Sequence, residues 1–153
     1  MYASGQVARV EVERAVTAPA SLRVLVIDDD ESVGAAIKVF LARRRCRTEL
    51  ASGAYAGIQA LGLSDFDIVL VDLFMTGMSG LDAIAYIRQR SAVPIIAMSG
   101  FRLRSSLEPI DYLGTAMQRG ASSCIRKPFS SRQLIEAIDL SLGSGVHSGV
   151  SLR

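Results

Sequence analysis

The run Arg23-Val-Leu-Val-Ile-Asp28 is short, apolar, rich in β-branched residues and closed by an acid. Such a run reads as a buried strand. Directly after it, Val33, Ile37, Phe40 and Leu41 recur at helical spacing, which predicts an amphipathic helix over 32–45. Its last residues, Arg43, Arg44 and Arg45, carry the sign that suits a helix C-terminus. The unit then repeats along the chain. Thr48 to Ala51 is a weaker strand, and Tyr55, Ile58 and Leu61 mark a short helix closed by Gly62. Asp67-Ile-Val-Leu-Val-Asp72 is again an apolar strand ending in an acid, followed by the helical stripe Leu81, Ile84 and Ala85. Val93-Pro-Ile-Ile-Ala-Met98 is a further strand running into Ser99 and Gly100. Ile110, Leu113 and Met117 are spaced as a helix ending at Gly120, and Ser122 to Ile125 form a brief strand stopped by Pro128. Leu134, Ile135, Ile138 and Leu142 face one side of a last helix, which ends near Gly143.

Five strands alternating with five helices predict an α/β fold, a parallel sheet covered on both faces. Right-handed crossovers favour a doubly wound, flavodoxin-like strand order 2-1-3-4-5. Outside this unit, residues 1–21 form an N-terminal arm. Arg9-Val-Glu-Val-Glu13 alternates like a strand there, but its Ala, Ser, Gly and Pro surroundings favour a flexible segment. Residues 143–153 are Gly- and Ser-rich and read as a flexible tail, leaving one domain over 22–142.

Composition narrows the function classes. The 153 residues are 50% hydrophobic and 21% charged, with 17 Lys and Arg against 15 Asp and Glu. That is too apolar for disorder and too balanced for a polyelectrolyte. The net charge of +2 does not call for direct contact with nucleic acid. Arg43 to Arg45 with Arg47 lack interleaved aromatics and are explained by a helix end. No apolar run reaches the roughly 18 residues of a membrane span, and the first residues lack the pattern of a signal peptide. Two cysteines, Cys46 and Cys124, cannot form a disulfide framework, so a cytoplasmic setting is expected. Cys124 reads as a small core thiol, and His147 has no metal-ligand company.

In sheets of this kind ligands bind beyond the carboxyl ends of the strands. Asp28, Asp29 and Asp30 fall there after the first strand, Asp72 after the third, Ser99 after the fourth and Lys127 after the fifth. Asp30, before Glu31 and Ser32, reads as a helix cap. The other carboxylates repel one another and need a compensating cation, for which Mg2+ is suited. Lys127 adds a fixed positive charge and Ser99 a hydroxyl able to hydrogen-bond a phosphoryl oxygen. Together they read as a phosphoryl-transfer site with a carboxylate nucleophile.

Val26-Ile-Asp-Asp-Asp30, Val69-Leu-Val-Asp-Leu73 with Gly80 eight positions past Asp72, Ala97-Met-Ser-Gly100 and Arg126-Lys-Pro-Phe129 resemble the receiver domain of two-component response regulators. The resemblance covers about residues 22–142. It implies that Asp72 accepts phosphate from a histidine kinase or histidine phosphotransfer protein. Asp28 and Asp29 would hold Mg2+ with Asp72, the backbone carbonyl of Phe74 would complete the metal shell, and Ser99 and Lys127 would bind the phosphoryl group. It further implies a stand-alone receiver that signals to a downstream protein target by contact or phosphorelay, with a second copy in a homodimer as a candidate partner and no enzymatic activity beyond its own phosphorylation and dephosphorylation.

Several positions depart from the family pattern. Cys124 stands where a Tyr or Phe switch is common, and Thr76 where Pro is common, which predicts a less rigid loop. The Arg- and Ser-rich stretch from Gly100 to Pro109 resembles receivers with a remodelled fourth helix; Arg102 and Arg104 read as part of a solvated loop. Phe74 and Phe101, flanking the expected path of a hydrolytic water, predict slow self-dephosphorylation. Two other readings compete. A haloacid-dehalogenase-type phosphatase would use Asp28 and Asp30, Ser99 and Lys127, but needs an acidic pair for which only Glu136 and Asp139 are available. A degenerate receiver would act as a binding module without phosphorylation.

Overall fold

The computed structural model describes residues 21–100 and 111–143. The expected arm 1–21 and tail 143–153 therefore lie outside the described residues except for Ser21 and Gly143, as do Phe101, Arg102, Arg104, Ile110 and His147. The elements follow in the order β1 (Leu22–Ile27), α1 (Glu31–Leu41), β2 (Cys46–Ala51), α2 (Ala54–Leu63), β3 (Ile68–Asp72), α3 (Gly80–Arg88), β4 (Ile95–Ser99), α4 (Tyr112–Gln118), β5 (Ser123–Arg126) and α5 (Ser131–Gly143). All strands are parallel, in the order β2-β1-β3-β4-β5, as the sequence predicts.

The sheet is covered on both faces, so the inner strands have no polar side to show. Every residue of β3 is buried, and Val24 to Ile27 and Ile95 to Met98 are buried as well. Leu25, Ile27, Val69 and Val71 pack with Ala54 of α2, Ile84 and Ile87 of α3 and Ala116 of α4 on one face. Val24, Val26, Leu70 and Met98 pack with Ile37 and Leu41 of α1 and Leu134 and Ile138 of α5 on the other. β2 is an edge strand, and its side chains are largely exposed or half-buried.

Short-range chemistry sets most of the helix ends. Asp30 caps α1, its carboxylate accepting from the Ser32 N–H at 2.9 Å, and Ser79 and Asp111 cap α3 and α4 in the same way. At the end of α4, Gly120 takes a positive φ of 114°. Its N–H donates to the Met117 carbonyl while Ala121 N–H donates to that of Ala116, a Schellman closure. Arg88 of α3 then donates Nε and Nη2 to the Gly120 carbonyl at 2.9 and 2.8 Å, tying α3 to this turn.

Several element boundaries differ from expectation; β2, for one, starts at Cys46 rather than Thr48, and β5 spans Ser123–Arg126. α1 stops at Leu41 rather than 45, because Ala42–Arg44 tighten into a 3-10 turn and Arg45 adopts a left-handed φ of 50°. α2 runs through Gly62 to Leu63, with Ser64 leaving in an extended conformation, so Gly62 does not close it. β4 begins at Ile95 rather than Val93; Pro94 has no N–H for the ladder, although its carbonyl accepts from Val69 at 2.9 Å.

Candidate functional site

The parallel register brings four strand ends to one rim. Ile27 lies beside Val71, Asp72 beside Met98 and Ser99 beside Arg126. The residue following each strand, or ending it, thus projects from the same edge of the sheet. Carboxylate oxygens of Asp28, Asp29 and Asp72 all lie within 4.8 Å of one another. Asp28 and Asp72 are buried, whereas Asp29 is exposed. Lys127 reaches across from β5, its Nζ at 2.6 Å from Asp28 Oδ2 and 3.3 Å from Asp72 Oδ1.

The two buried acids differ in how they are held. Asp28 is engaged at both oxygens, accepting from Lys127 on Oδ2 and from the Asp30 N–H at 2.9 Å on Oδ1. Asp72 has its pKa raised, first by burial and then by the Asp28 charge, against the opposing pull of Lys127 and of the Phe74 N–H. For Lys127, burial works to lower the pKa, but the Asp28 hydrogen bond and the two carboxylate charges prevail and raise it. Burial thus works against the Asp72 charge, while the neighbouring carboxylates favour the Lys127 ammonium. A carboxylate that is poorly compensated in the resting state gains most from a new cation beside it.

Asp29 is held from a different direction. Its Oδ2 accepts from Thr76 twice, from the backbone N–H at 3.1 Å and from Oγ1 at 3.3 Å. The loop carrying Thr76 leaves β3 and ends at Gly80, whose N–H donates to the Leu73 carbonyl at 3.1 Å. A Cβ at position 80 would overlap the Asp72 backbone carbonyl oxygen, so α3 starts directly against the end of β3.

Ser99 and Lys127 are neighbours through the backbone, Lys127 N–H donating to the Ser99 carbonyl at 2.7 Å. The Ser99 hydroxyl makes a long contact of 3.4 Å to the Gly100 carbonyl and none to the carboxylates. Phe74 packs its ring edge-on against Tyr112 of α4, centroids 4.8 Å apart and planes at 75°. Phe101, the expected second ring, lies outside the described residues. Cys124 is half-buried, with Sγ 3.6 Å from the Leu113 carbonyl, and burial followed by the Asp111 charge raises its pKa. It packs against the core as expected of a small apolar thiol, though only partly buried. Beside Lys127 a groove of about 410 Å³ runs between α1 and the start of α5, lined by Val33, Ala36, Phe40 and Phe129.

Asp28, Asp29, Asp72 and Lys127 thus meet as predicted, Ser99 stands at the adjacent strand end, and Thr76 and Tyr112 are additions that strand-end logic does not reach. The sequence matches the response regulator receiver domain over residues 24–139. The chain belongs to the response regulator receiver domain family.

It is 32% identical over 122 residues to the sensory transduction protein RegX3 of Mycobacterium tuberculosis, covering 80% of this chain and 51% of RegX3. The chain therefore spans about half the length of the curated relatives of this kind. A receiver domain protein from Clostridium thermocellum superposes with a TM-score of 0.71 at 26% identity, over 82% of this chain and 97% of that one. A CheY-like receiver from Methanospirillum hungatei gives 0.73 at 24% identity, over 85% and 100%, and bears on the fold alone. Receivers work in two-component signalling, interact with histidine kinases and downstream effectors, typically bind Mg2+ at an acidic pocket and are generally not enzymes. Among the described residues, no helix is long and apolar enough to cross a membrane.

Proposed function

We propose that Asp72 accepts a phosphoryl group from a phosphohistidine of a kinase or phosphotransfer protein, and that the domain, over residues 22–142, signals by protein contact or phosphorelay. The observation that carries this reading is the clustering of Asp28, Asp29 and Asp72 within 4.8 Å, with Lys127 bridging the two buried members. The donors are all hard oxygens, which fits Mg2+, a cation that takes one or two carboxylates and keeps several waters. Asp29 and Asp72 would be its side-chain ligands, Asp28 would hold a coordinated water because both its oxygens already accept hydrogen bonds, and the Phe74 carbonyl would contribute. When bound, the cation supplies positive charge to the phosphoryl oxygens.

An Asp72 oxygen then attacks phosphorus in line, forming the acyl phosphate while the bond to the donor imidazole nitrogen breaks. The nitrogen keeps the electron pair and takes up a proton. Lys127 stabilises the equatorial oxygens as a fixed cation, and the Ser99 hydroxyl donates to one of them. The apolar groove beside Lys127 offers a protein donor a surface next to the acceptor. The cytoplasmic setting and the absence of other catalysis expected from the sequence belong to this proposal.

The phosphatase alternative loses its acids. Glu136 pairs with Arg132 at 2.9 Å on α5, and Asp139 lies 3.8 Å from Arg44, both at the surface. A binding module independent of phosphorylation is the remaining alternative. Incubation with a small phosphodonor and Mg2+, read by intact mass, separates them. One phosphoryl group should appear on wild type and none on Asp72→Asn; an unmodified wild type would favour the binding module.

A further inference from the structure

Thr76 occupies a position where a proline is common in receivers, and it does what a proline cannot. A proline has no N–H and no hydroxyl. Thr76 uses both, donating each to the same oxygen of Asp29 across 47 residues of sequence. The two bonds join the loop after β1 to the loop after β3. The sequence alone predicts a looser loop here; the structure shows it fastened to an acid of the site.

Asp29 is the member of the cluster that most needs fastening. It is exposed, so no packing selects its rotamer, and Asp28 and Asp72 push a third negative charge toward solvent. Two charge-assisted hydrogen bonds oppose that push and hold the carboxylate over the cleft. Both fall on Oδ2, and no described residue donates to Oδ1. One oxygen is thus tethered while the other is left for a cation. We infer that Thr76 is a positioning residue that presets Asp29 for divalent-cation binding, replacing loop stiffness with a direct tether. This rests on the reading of the cluster as a Mg2+ site.

The test is calorimetric titration of the unphosphorylated chain with Mg2+ in wild type, Thr76→Pro, Thr76→Val and Thr76→Ser. Melting temperatures in a chelator serve as the measure of folding. Thr76→Pro loses both donors and should bind Mg2+ about tenfold more weakly. Thr76→Val keeps the N–H and should fall in between, with Thr76→Ser close to wild type. Should Thr76→Pro fail to fold, the Val and Ser pair carries the same comparison. A wild type that binds Mg2+ with variants that bind equally well or more tightly would overturn the inference alone. A wild type that binds no Mg2+ would overturn the underlying reading with it.

Discussion

At the ends of β1 and β3 every acid is bonded: Asp28 to Lys127 and the Asp30 N–H, Asp29 to Thr76, Asp30 to Ser32, and Asp72 to Lys127. On β4 and β5, Ser99 and Cys124 are loosely engaged. The Ser99 hydroxyl is 3.4 Å from a carbonyl, the Cys124 thiol 3.6 Å from another, and α4 has only seven residues. Lys127 crosses from the second half to the buried acids of the first. The charge-bearing half is held in place by specific bonds. No such charged bond holds the side chains of Ser99 and Cys124, so movement there is cheaper. The specific bonds therefore gather on the acids rather than on Ser99 or Cys124.

The sharpest way to break this contrast is to remove the crossing residue. Lys127→Ala leaves two buried carboxylates facing each other, and should cost about 3–5 kcal/mol in chelator, measured by urea denaturation. Added Mg2+ should restore much of the loss; indifference to both changes would mean that the acids are not held by charge. The sign of the pH dependence follows from the same bond. Because the Lys127 pKa is raised in the fold, its stabilisation is complete below the unfolded value of 10.5 and is lost as pH rises through the higher folded value. Alkaline titration of wild type against Lys127→Ala should show this loss in wild type only.

A smaller effect is expected in the loose half. Cys124→Phe forces a ring toward the Leu113 carbonyl and α4, and should cost about 1–3 kcal/mol by the same denaturation. A cost near zero would show room for a ring and weaken the idea that Cys124 is matched to the position of α4. Phe74→Asn removes the ring that meets Tyr112 and places a polar group near the proposed acceptor. Hydrolysis of the phosphorylated chain, followed by loss of intact mass, should quicken about tenfold, or 1.4 kcal/mol in barrier. An unchanged rate would remove Phe74 from the control of lifetime. The smallest change should be Arg119→Ala. Its 2.8 Å bond to Asp82 joins α4 to α3 at an exposed surface and is worth under about 1 kcal/mol, less in high salt.

Strand and helix identity was legible because alternating apolar runs and acid-terminated strands need no tertiary information. The meeting of Asp28, Asp29, Asp72 and Lys127 followed from strand order, since parallel strands place their carboxyl ends on one rim. What escaped depends on single backbone angles or on loop-to-loop contacts. Arg45 in a left-handed conformation shortened α1, and no residue type at 45 announces it. Thr76 was visible as a departure, but its bonds to Asp29 exist only once two loops are brought together. The Phe74 and Tyr112 contact is of the same kind, linking the loop after β3 to α4 with α3 and β4 between them.

Gly80 gives the loop after β3 a length as well as a shape. Its lack of a side chain lets α3 begin against the Asp72 carbonyl, eight residues beyond the acid itself. Adding or deleting one residue in this loop would bring Ser79 or Leu81 to the contact, and neither fits without displacing the helix. The contact therefore constrains the residue count of the segment. A chimaera that grafts this loop from another receiver should keep its fold only when the donor loop places glycine at the same interval from the acid.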